Sequence, residues 1–370
     1  MANRFPLHLW RNEAARAILA PMTLGRASNW IRPTIATVYL TSYCNSRCTM
    51  CDFWQRPRDP NELTSRQWGV IFSRMKAFGV GYITVNASGE IFTRTDLFTI
   101  LDHLKRLGIL FGLNTNGTLI TAKRAEQIAR LAPRVLTIGL EGVGDSIYEA
   151  TRGLPNGFTK VMENVNNLKA AGFSSIAFGS VLSTDNVDQW VELAQYALDN
   201  GLKGVRFTAL HHDYFRPLTH DEPEPTYDPA FIEKADEKIK QLIEMKKKTG
   251  IILNSVDYLK RVPEFYRTGH RFFPVPCLQG SNRIELDVYG NVTLCSFMTE
   301  SLGNLVTDDM ETIWQSAIHR QNRNNAFSGN CPRCFLSCYG EENLRLSPGG
   351  FFRTLDHTVG RFFSLVSGKG

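Results

Sequence analysis

Along the chain, short apolar runs alternate with longer stretches in which apolar residues recur every three or four positions. The runs lie at 35–40, 82–85, 110–113, 135–140, 176–182 and 204–210. They are four to seven residues long, the length of buried strands. The stretches between them, at about 64–78, 95–107, 120–132, 157–171 and 187–200, have helical periodicity. Several close on glycine, at Gly79, Gly108 and Gly172, where a helix C-terminus favours a left-handed residue. Six strand–helix units in succession predict an α/β fold with a parallel sheet and helices outside. Right-handed crossovers curl such a sheet into a partial (β/α)6 barrel of TIM type. Chemistry in that fold gathers at the C-terminal ends of the strands.

The flanking segments have other patterns. Residues 1–33 form a basic, aromatic lead-in with Trp10, Arg11, Trp30 and Arg32. The barrel core then occupies 34–212, and a linker with a helical connection occupies 213–276. The linker opens on a Pro-rich, acidic loop and continues into a long polar helix at about 229–249. A small α+β domain is predicted over 277–345. It starts with a hairpin at 284–294, turning at Tyr289-Gly290-Asn291, and adds a helix near 308–322. The tail, 346–370, interleaves Phe351, Phe352, Phe362 and Phe363 with Arg353 and Arg361. That pattern suits packing against the body or contact with a membrane surface.

Composition narrows the function. Of 370 residues, 43% are hydrophobic and 21% charged, which excludes a disordered or fibrous chain. No apolar run reaches the 18 residues of a membrane span, and no secretory signal opens the chain, so a cytoplasmic location is expected. The net charge of +6 is spread out; its densest knot, Lys246-Lys247-Lys248, reads as a helix C-terminus and not as a nucleic-acid patch.

Cysteine carries the chemistry. Three of the eight fall within 44–51 and five within 277–338, with none in the 225 residues between. In a reducing compartment such clusters read as metal ligands before disulfides. Cys44, Cys48 and Cys51 form a CxxxCxxC loop directly after the first strand. Three thiolates on one loop suit a cubane iron–sulfur cluster with one iron left open for a chelating small molecule. The alternative, zinc, wants a fourth ligand close by, and none is near.

With this loop at the end of strand one and six β–α units, the sequence resembles the radical S-adenosylmethionine (SAM) superfamily. The resemblance implies that the open iron of a [4Fe–4S] cluster binds SAM. Reductive cleavage then yields a 5′-deoxyadenosyl radical that abstracts a substrate hydrogen, and an electron donor such as flavodoxin or ferredoxin supplies the electron. It also implies SAM contacts. Met50, before the third cysteine, would meet the adenine. Ser88-Gly89-Glu90 stands where the family has Gly-Gly-Glu against the methionine amino group. Asn116, in Asn114-Thr115-Asn116-Gly117, would neighbour the ribose. Gly139 replaces the family serine in Ser-Leu-Asp-Gly, so Arg152 would inherit the SAM carboxylate.

Cys277, Cys295, Cys331 and Cys334 suffice to ligate a second, auxiliary [4Fe–4S] cluster. Their arrangement is similar to the twitch domain, a short form of the SPASM extension, and their spacing resembles that of aminocyclitol dehydrogenases. Cys338 is left over, as a structural thiol or a hydrogen donor to a substrate radical. The resemblance thus implies oxidation or epimerisation of a sugar or cyclitol. The alternative is maturation of a ribosomal peptide or protein by crosslink, thioether or epimerisation, and a bare iron–sulfur electron carrier is the non-enzyme alternative. Any peptide leader would need a docking site other than an N-terminal domain, since only 34 residues precede strand one. Oxidation also needs a base, for which Glu141, His211, His212 and Asp287 are the candidates.

Overall fold

The structure, a computed structural model, describes residues 31–215, 226–269, 275–332 and 334–346. Most of the lead-in, the centre of the Pro-rich loop and almost all of the tail lie outside the described residues. Nine strands form one sheet: β1 (Ile35–Tyr39), β2 (Tyr82–Asn86), β3 (Leu110–Thr115), β4 (Leu136–Gly139), β5 (Ile176–Leu182), β6 (Gly204–Ala209), β7 (Arg283–Leu286), β8 (Asn291–Thr293) and β9 (Gly303–Asn304). The order is β6-β5-β4-β3-β2-β1-β7-β8-β9. Strands β1 to β7 pair in parallel, and β7, β8 and β9 form an antiparallel meander. The partial barrel is therefore as predicted. The C-terminal segment, however, shares the sheet, because β7 pairs with β1 from Ile35↔Arg283 to Val38↔Leu286.

The helices are α1 (Ser65–Phe78), α2 (Leu97–Arg106), α3 (Ala122–Leu131), α4 (Asp145–Arg152), α5 (Gly157–Ala170), α6 (Trp190–Asp199), α7 (His212–Phe215), α8 (Pro229–Thr249), α9 (Val256–Leu259), α10 (Val262–Thr268), α11 (Met310–Gln315), α12 (Ala317–Ser328) and α13 (Ser337–Leu346). Local chemistry sets their ends. Thr64 and Gln67 close a capping box on α1, and Asp228 with Pro229 starts α8. The single helix predicted near 308–322 is two, because Ser316 is extended (ψ 151°) and its hydroxyl caps α12. The eight-residue α4 escapes the periodicity argument because two turns are too short to display a stripe.

The strands are two-faced. Ala36, Val38, Ile83, Val85 and Leu113 are buried against the helical layer. Thr37 and Tyr39 face the barrel lumen, where Thr37 accepts from Arg283 Nη1 at 2.8 Å. A Cβ on Gly112 would meet the Tyr82 hydroxyl, which puts these two on the lumen side as well. The sheet does not close on itself. Helix α13 spans the gap instead: Ser337 Oγ lies 2.6 Å from Thr208 Oγ1 on β6, and Glu342 pairs with Arg283 on β7 at 3.2 Å.

Candidate active site

The CxxxCxxC loop leaves β1 through a fixed exit. Glu62 accepts from Ser42 N (2.7 Å), Ser42 Oγ (2.8 Å) and Thr41 Oγ1 (3.0 Å). Beyond it the loop backbone is tied to α4, with Arg47 N donating to Arg152 O (3.1 Å) and Thr49 N to Thr151 O (3.0 Å). Cys44, Cys48 and Cys51 are all half-buried. Burial pushes the Cys44 thiol up to about 11 and Cys51 up to about 12, and raises Cys48 against the pull of Arg152. Three thiols held protonated by desolvation are poor neighbours for one another but good ligands for a cation, which removes the cost of ionising them. Among the described residues, no three His, Cys, Asp or Glu side chains converge tightly enough for a single metal ion. A cubane fits better than zinc, because each thiolate bonds a different iron and the sulfurs stand further apart.

The predicted SAM contacts gather around this loop. Gly89 must be glycine, since a Cβ there would land on the Tyr43 carbonyl. Gly89 N and Glu90 N donate to Thr41 O (3.3 Å) and Tyr43 O (2.9 Å), so the Ser88-Gly89-Glu90 turn is clamped to the cysteine loop. Ser88 is half-buried beside it, and Met50 is buried within the loop. The Glu90 carboxylate accepts from Phe92 N (3.0 Å), Thr115 Oγ1 (2.7 Å) and Asn116 N (2.6 Å). Burial raises its pKa, and those hydrogen bonds oppose the rise. Asn116 Nδ2 donates to Asn45 Oδ1 and Ser46 Oγ, both at 2.9 Å, which braces the loop from β3. Arg152 makes a two-pronged ion pair with Glu141, whose side chain is fully buried. A Cβ on Gly139 would strike the Arg152 guanidinium. The missing family serine therefore has a steric reason here: the arginine occupies its place.

Two of the four candidate bases have other work. Glu141 is committed to Arg152. Asp287 holds the hairpin turn, accepting from Tyr289 N (2.9 Å), Asn291 N (2.9 Å) and Asn291 Nδ2 (2.8 Å). His211 is buried against Phe297, ring centroids 4.7 Å apart. The side chain of His212 lies outside the described residues.

Cys277, Cys295, Cys331 and Cys334 line one cavity of about 300 Å³, with Gln279, Phe297, Met298 and Asn343. Four convergent thiols in a largely apolar cradle fit a fully ligated cluster. The Cys277 thiol is pushed up to about 11 and those of Cys295 and Cys334 further, in each case chiefly by burial. The N–H groups of Gln279 and the Asn343 side chain act against the rise at Cys277, those of Phe297 and Met298 at Cys295, and that of Leu336 at Cys334. Asn343 is oriented by accepting from Leu278 N at 3.0 Å. Because such hydrogen bonds stabilise the more negative, reduced cluster, Asn343→Leu should shift the auxiliary potential downward and leave the first site's unchanged. A redox titration followed by electron paramagnetic resonance would show it, and an unmoved potential would refute the assignment.

Near the two cysteine sites runs a half-buried polar chain that sequence reasoning missed. Tyr214 Oη lies 3.4 Å from Tyr39 Oη, which lies 3.2 Å from Ser296 Oγ. Ser296 Oγ donates to Glu285 Oε2 at 2.7 Å, and the Tyr339 hydroxyl donates to Glu285 Oε1. Glu285 is 3% exposed, and burial raises its pKa. The sequence signal was present: in Arg283-Ile284-Glu285-Leu286, alternation puts two charged residues on one face of a strand with an otherwise buried pattern. Cys338 opens onto this region. It is exposed, yet walled by protein that pushes its thiol up to about 11, with Arg283 and Arg206 acting against the rise and Glu285 adding to it. Its exposure keeps this sulfur out of the packed core.

Comparison with known proteins follows this division. The radical SAM superfamily model matches residues 38–197, and the SPASM iron–sulfur cluster-binding domain model matches residues 277–338, ending on Cys338. The mycofactocin maturase MftC of Mycolicibacterium smegmatis is 26% identical over 328 residues, covering 83% of this chain and 77% of that protein. An AdoMet-dependent heme synthase of Methanosarcina barkeri is 22% identical over 322 residues, 82% of this chain and 88% of that one. Among solved structures, Streptococcus suis SuiB bound to precursor peptide SuiA has the same fold, with a TM-score of 0.63 at 16% identity, over 86% of this chain and 72% of that one. No described helix is long and apolar enough to cross a membrane. With its three-cysteine loop on a partial barrel and its cysteine-lined C-terminal cavity, the chain belongs to the radical SAM superfamily and carries a C-terminal SPASM/twitch iron–sulfur domain.

Proposed function

We propose that this radical SAM enzyme matures a peptide by net oxidation, removing a hydrogen atom, a proton and an electron from one substrate residue. The observation that carries the oxidative part is the Tyr214–Tyr39–Ser296–Glu285 chain, which runs from beside Phe215, whose carbonyl accepts from Asp52 N next to Cys51, to Ser296, which follows Cys295. Likeness to a maturase across most of both chains supports the peptide over the sugar or cyclitol first expected. Two [4Fe–4S] clusters, one held by Cys44, Cys48 and Cys51 with SAM beside it and one by Cys277, Cys295, Cys331 and Cys334, would supply hydrogen-atom abstraction at one end and electron acceptance at the other. The protein's own residues do the rest. Glu90, Asn116 and Arg152 brace the loop that presents the SAM site, and Met50 and Ser88 flank it. Glu285 takes the substrate proton through the Ser296 and Tyr39 hydroxyls. Its raised pKa suits a base, since a carboxylate that binds a proton more tightly accepts it more readily. A cytoplasmic setting and a separate electron donor complete the reading.

The test presents deuterated precursor peptides to reconstituted holoenzyme with SAM and reductant. Deuterium should appear in 5′-deoxyadenosine, and the peptide should lose a pair of hydrogens. Glu285→Gln should keep the deuterium transfer but lower peptide oxidation by about 10²-fold or more, the usual worth of a positioned base. Deuterium transfer from a labelled cyclitol but from no peptide would sink the peptide reading. Solvent hydrogen appearing in an otherwise unchanged peptide would favour epimerisation instead, with Cys338 as its donor.

A further inference from the structure

Across the barrel from β1, the lumen face of the sheet is bare except for one cation. Gly139 on β4 pairs with Gly179 on β5, and Gly179 pairs with Arg206 on β6, so the three form one row. The row faces inward. A Cβ on Gly139 would strike the Arg152 guanidinium, and the alternate residues Ile138, Phe178 and Phe207 are buried in the helical layer. A Cβ on Gly179 would meet one atom within 4 Å beyond its chain neighbours, the Thr137 methyl at 3.0 Å. The space between Arg152 and Arg206 is therefore open. Arg206 itself is half-buried. Two residues on and on the same face, Thr208 Oγ1 lies 2.6 Å from Ser337 Oγ, which brings the start of α13, and with it the exposed Cys338, to this part of the lumen. The other arginines facing the lumen are answered, Arg152 by Glu141 and Arg283 by Glu342. Arg206 forms no ion pair and no side-chain hydrogen bond among the described residues. The acids of the elements packed nearby are taken. Glu285 accepts from Ser296 and Tyr339, Glu342 pairs with Arg283, and Glu341 accepts from Ser255 N at 2.7 Å.

A guanidinium drawn into a cleft loses part of its hydration and wants a counter-charge in return. Its planar fork matches a carboxylate, which it binds through two parallel hydrogen bonds. We propose that Arg206 seats a carboxylate of the substrate peptide in the barrel lumen and so sets which peptide residue reaches the SAM site. The proposal deepens the peptide reading above and rests on it for the identity of the ligand. The position suits the task. The seat lies two strand spacings, about 10 Å, from Gly139 beneath Arg152. The charge of Arg206 is felt at the Cys338 thiol and the Tyr82 hydroxyl, where it acts against the rise that burial causes, so the guanidinium stands over the lumen and not outside the barrel. With Arg283 already paired, a single free cation matches a singly charged carboxylate better than a phosphate dianion. The carboxylate is that of an acidic side chain or of the peptide's own C-terminus, and the recognising chemistry is the same for both. An uncharged sugar or cyclitol would leave the arginine unanswered. Binding makes an ion pair and breaks no covalent bond.

Cys338 serves as the reporter, because it is the thiol left outside both cysteine sets. Reconstituted full chain with SAM is alkylated with iodoacetate, which carries a carboxylate, or with neutral iodoacetamide, and Cys338 is followed by mass spectrometry. Either reagent forms the same S–C bond and releases iodide. The ratio of the iodoacetate rate to the iodoacetamide rate at Cys338 should exceed that of glutathione about tenfold, the worth of one charge-assisted hydrogen bond. Arg206→Leu should lower the ratio about tenfold, and Arg206→Lys should keep most of it. The ratio in the unaltered protein stands as a test even if the leucine variant folds poorly. Three short peptides then compete for the seat under iodoacetamide. Acetyl-Gly-Glu-Gly-amide carries only a side-chain carboxylate, acetyl-Gly-Gln-Gly with a free C-terminus only the terminal one, and acetyl-Gly-Gln-Gly-amide neither. Protection of Cys338 by the first or the second, lost in Arg206→Leu, supports the proposal and names the source. A ratio no higher than that of glutathione, a ratio unmoved in Arg206→Leu, equal protection by the neutral peptide, or protection by none of the three would each overturn it. Failure of the peptide reading itself, shown by deuterium transfer from a cyclitol alone, would leave the iodoacetate preference in place.

Discussion

Replacing Cys44, Cys48 and Cys51 together by alanine lowers the iron content of anaerobically reconstituted protein from about eight atoms per chain to about four, the content of one cubane. It also abolishes 5′-deoxyadenosine formation from SAM. The division is physical. The three cysteines share one loop tied by its backbone to α4 and by the Asn45 side chain to Asn116 just after β3, whereas Cys277, Cys295, Cys331 and Cys334 line a separate cavity built from the segment around 275–279, the turn after β8, the end of α12 and α13. Among the described residues, no backbone hydrogen bond links the cysteine loop directly to that cavity's four cysteines. The remaining four irons should keep their visible absorption and bleach with reductant. The reciprocal change, Cys277, Cys331 and Cys334 to alanine, should leave about four irons at the first site with SAM cleavage measurable. Iron and sulfide analysis decides the matter. A triple variant that kept all its iron, or that lost all of it while remaining folded, would remove the basis for two independent centres.

The barrel was legible in the sequence because each strand pairs an apolar face with a length set by the sheet. Strand β5 and helix α8 match their predicted limits, since β5 is bounded by Phe173-Ser174-Ser175 and Thr184-Asp185-Asn186, and α8 by Asp228-Pro229 and Gly250. The cysteine sites were legible because thiolate pairs and triplets at loop spacing have few other uses. What composition and periodicity could not give is long-range. The β1–β7 pairing spans 248 positions, as in the Thr34–Asn282 contact, and nothing in either strand names its partner. The same limit hid the role of α13, whose Ser337, Tyr339 and Glu342 each answer to a different strand or strand residue. Glu285 was overlooked for a related reason. A lone glutamate in a four-residue strand reads as an exposed edge until the fold closes a helix over it.

Arg152→Met should cost the folded protein about 3–5 kcal/mol, the range for stranding one member of a buried ion pair. Its partner, Glu141, has a fully buried side chain, so the orphaned carboxylate would have no solvent to turn to. Arg152 also acts beyond that pair. Its charge lowers the pKa of Cys44, Cys48 and Glu90, so its loss makes the first-site thiols harder to ionise and metal loading at that loop weaker. The double change Arg152→Met/Glu141→Leu removes the stranded charge and should recover most of the stability, as replacing a whole buried pair by apolar groups commonly does. It should not recover SAM affinity if the guanidinium receives the SAM carboxylate. Denaturant unfolding of the metal-free chain measures the first effect, and equilibrium binding of SAM to the reconstituted double variant measures the second. A single variant as stable as the parent would show that the pair is not buried as described. A double variant that bound SAM normally would confine Arg152 to holding Glu141 and the cysteine loop in place.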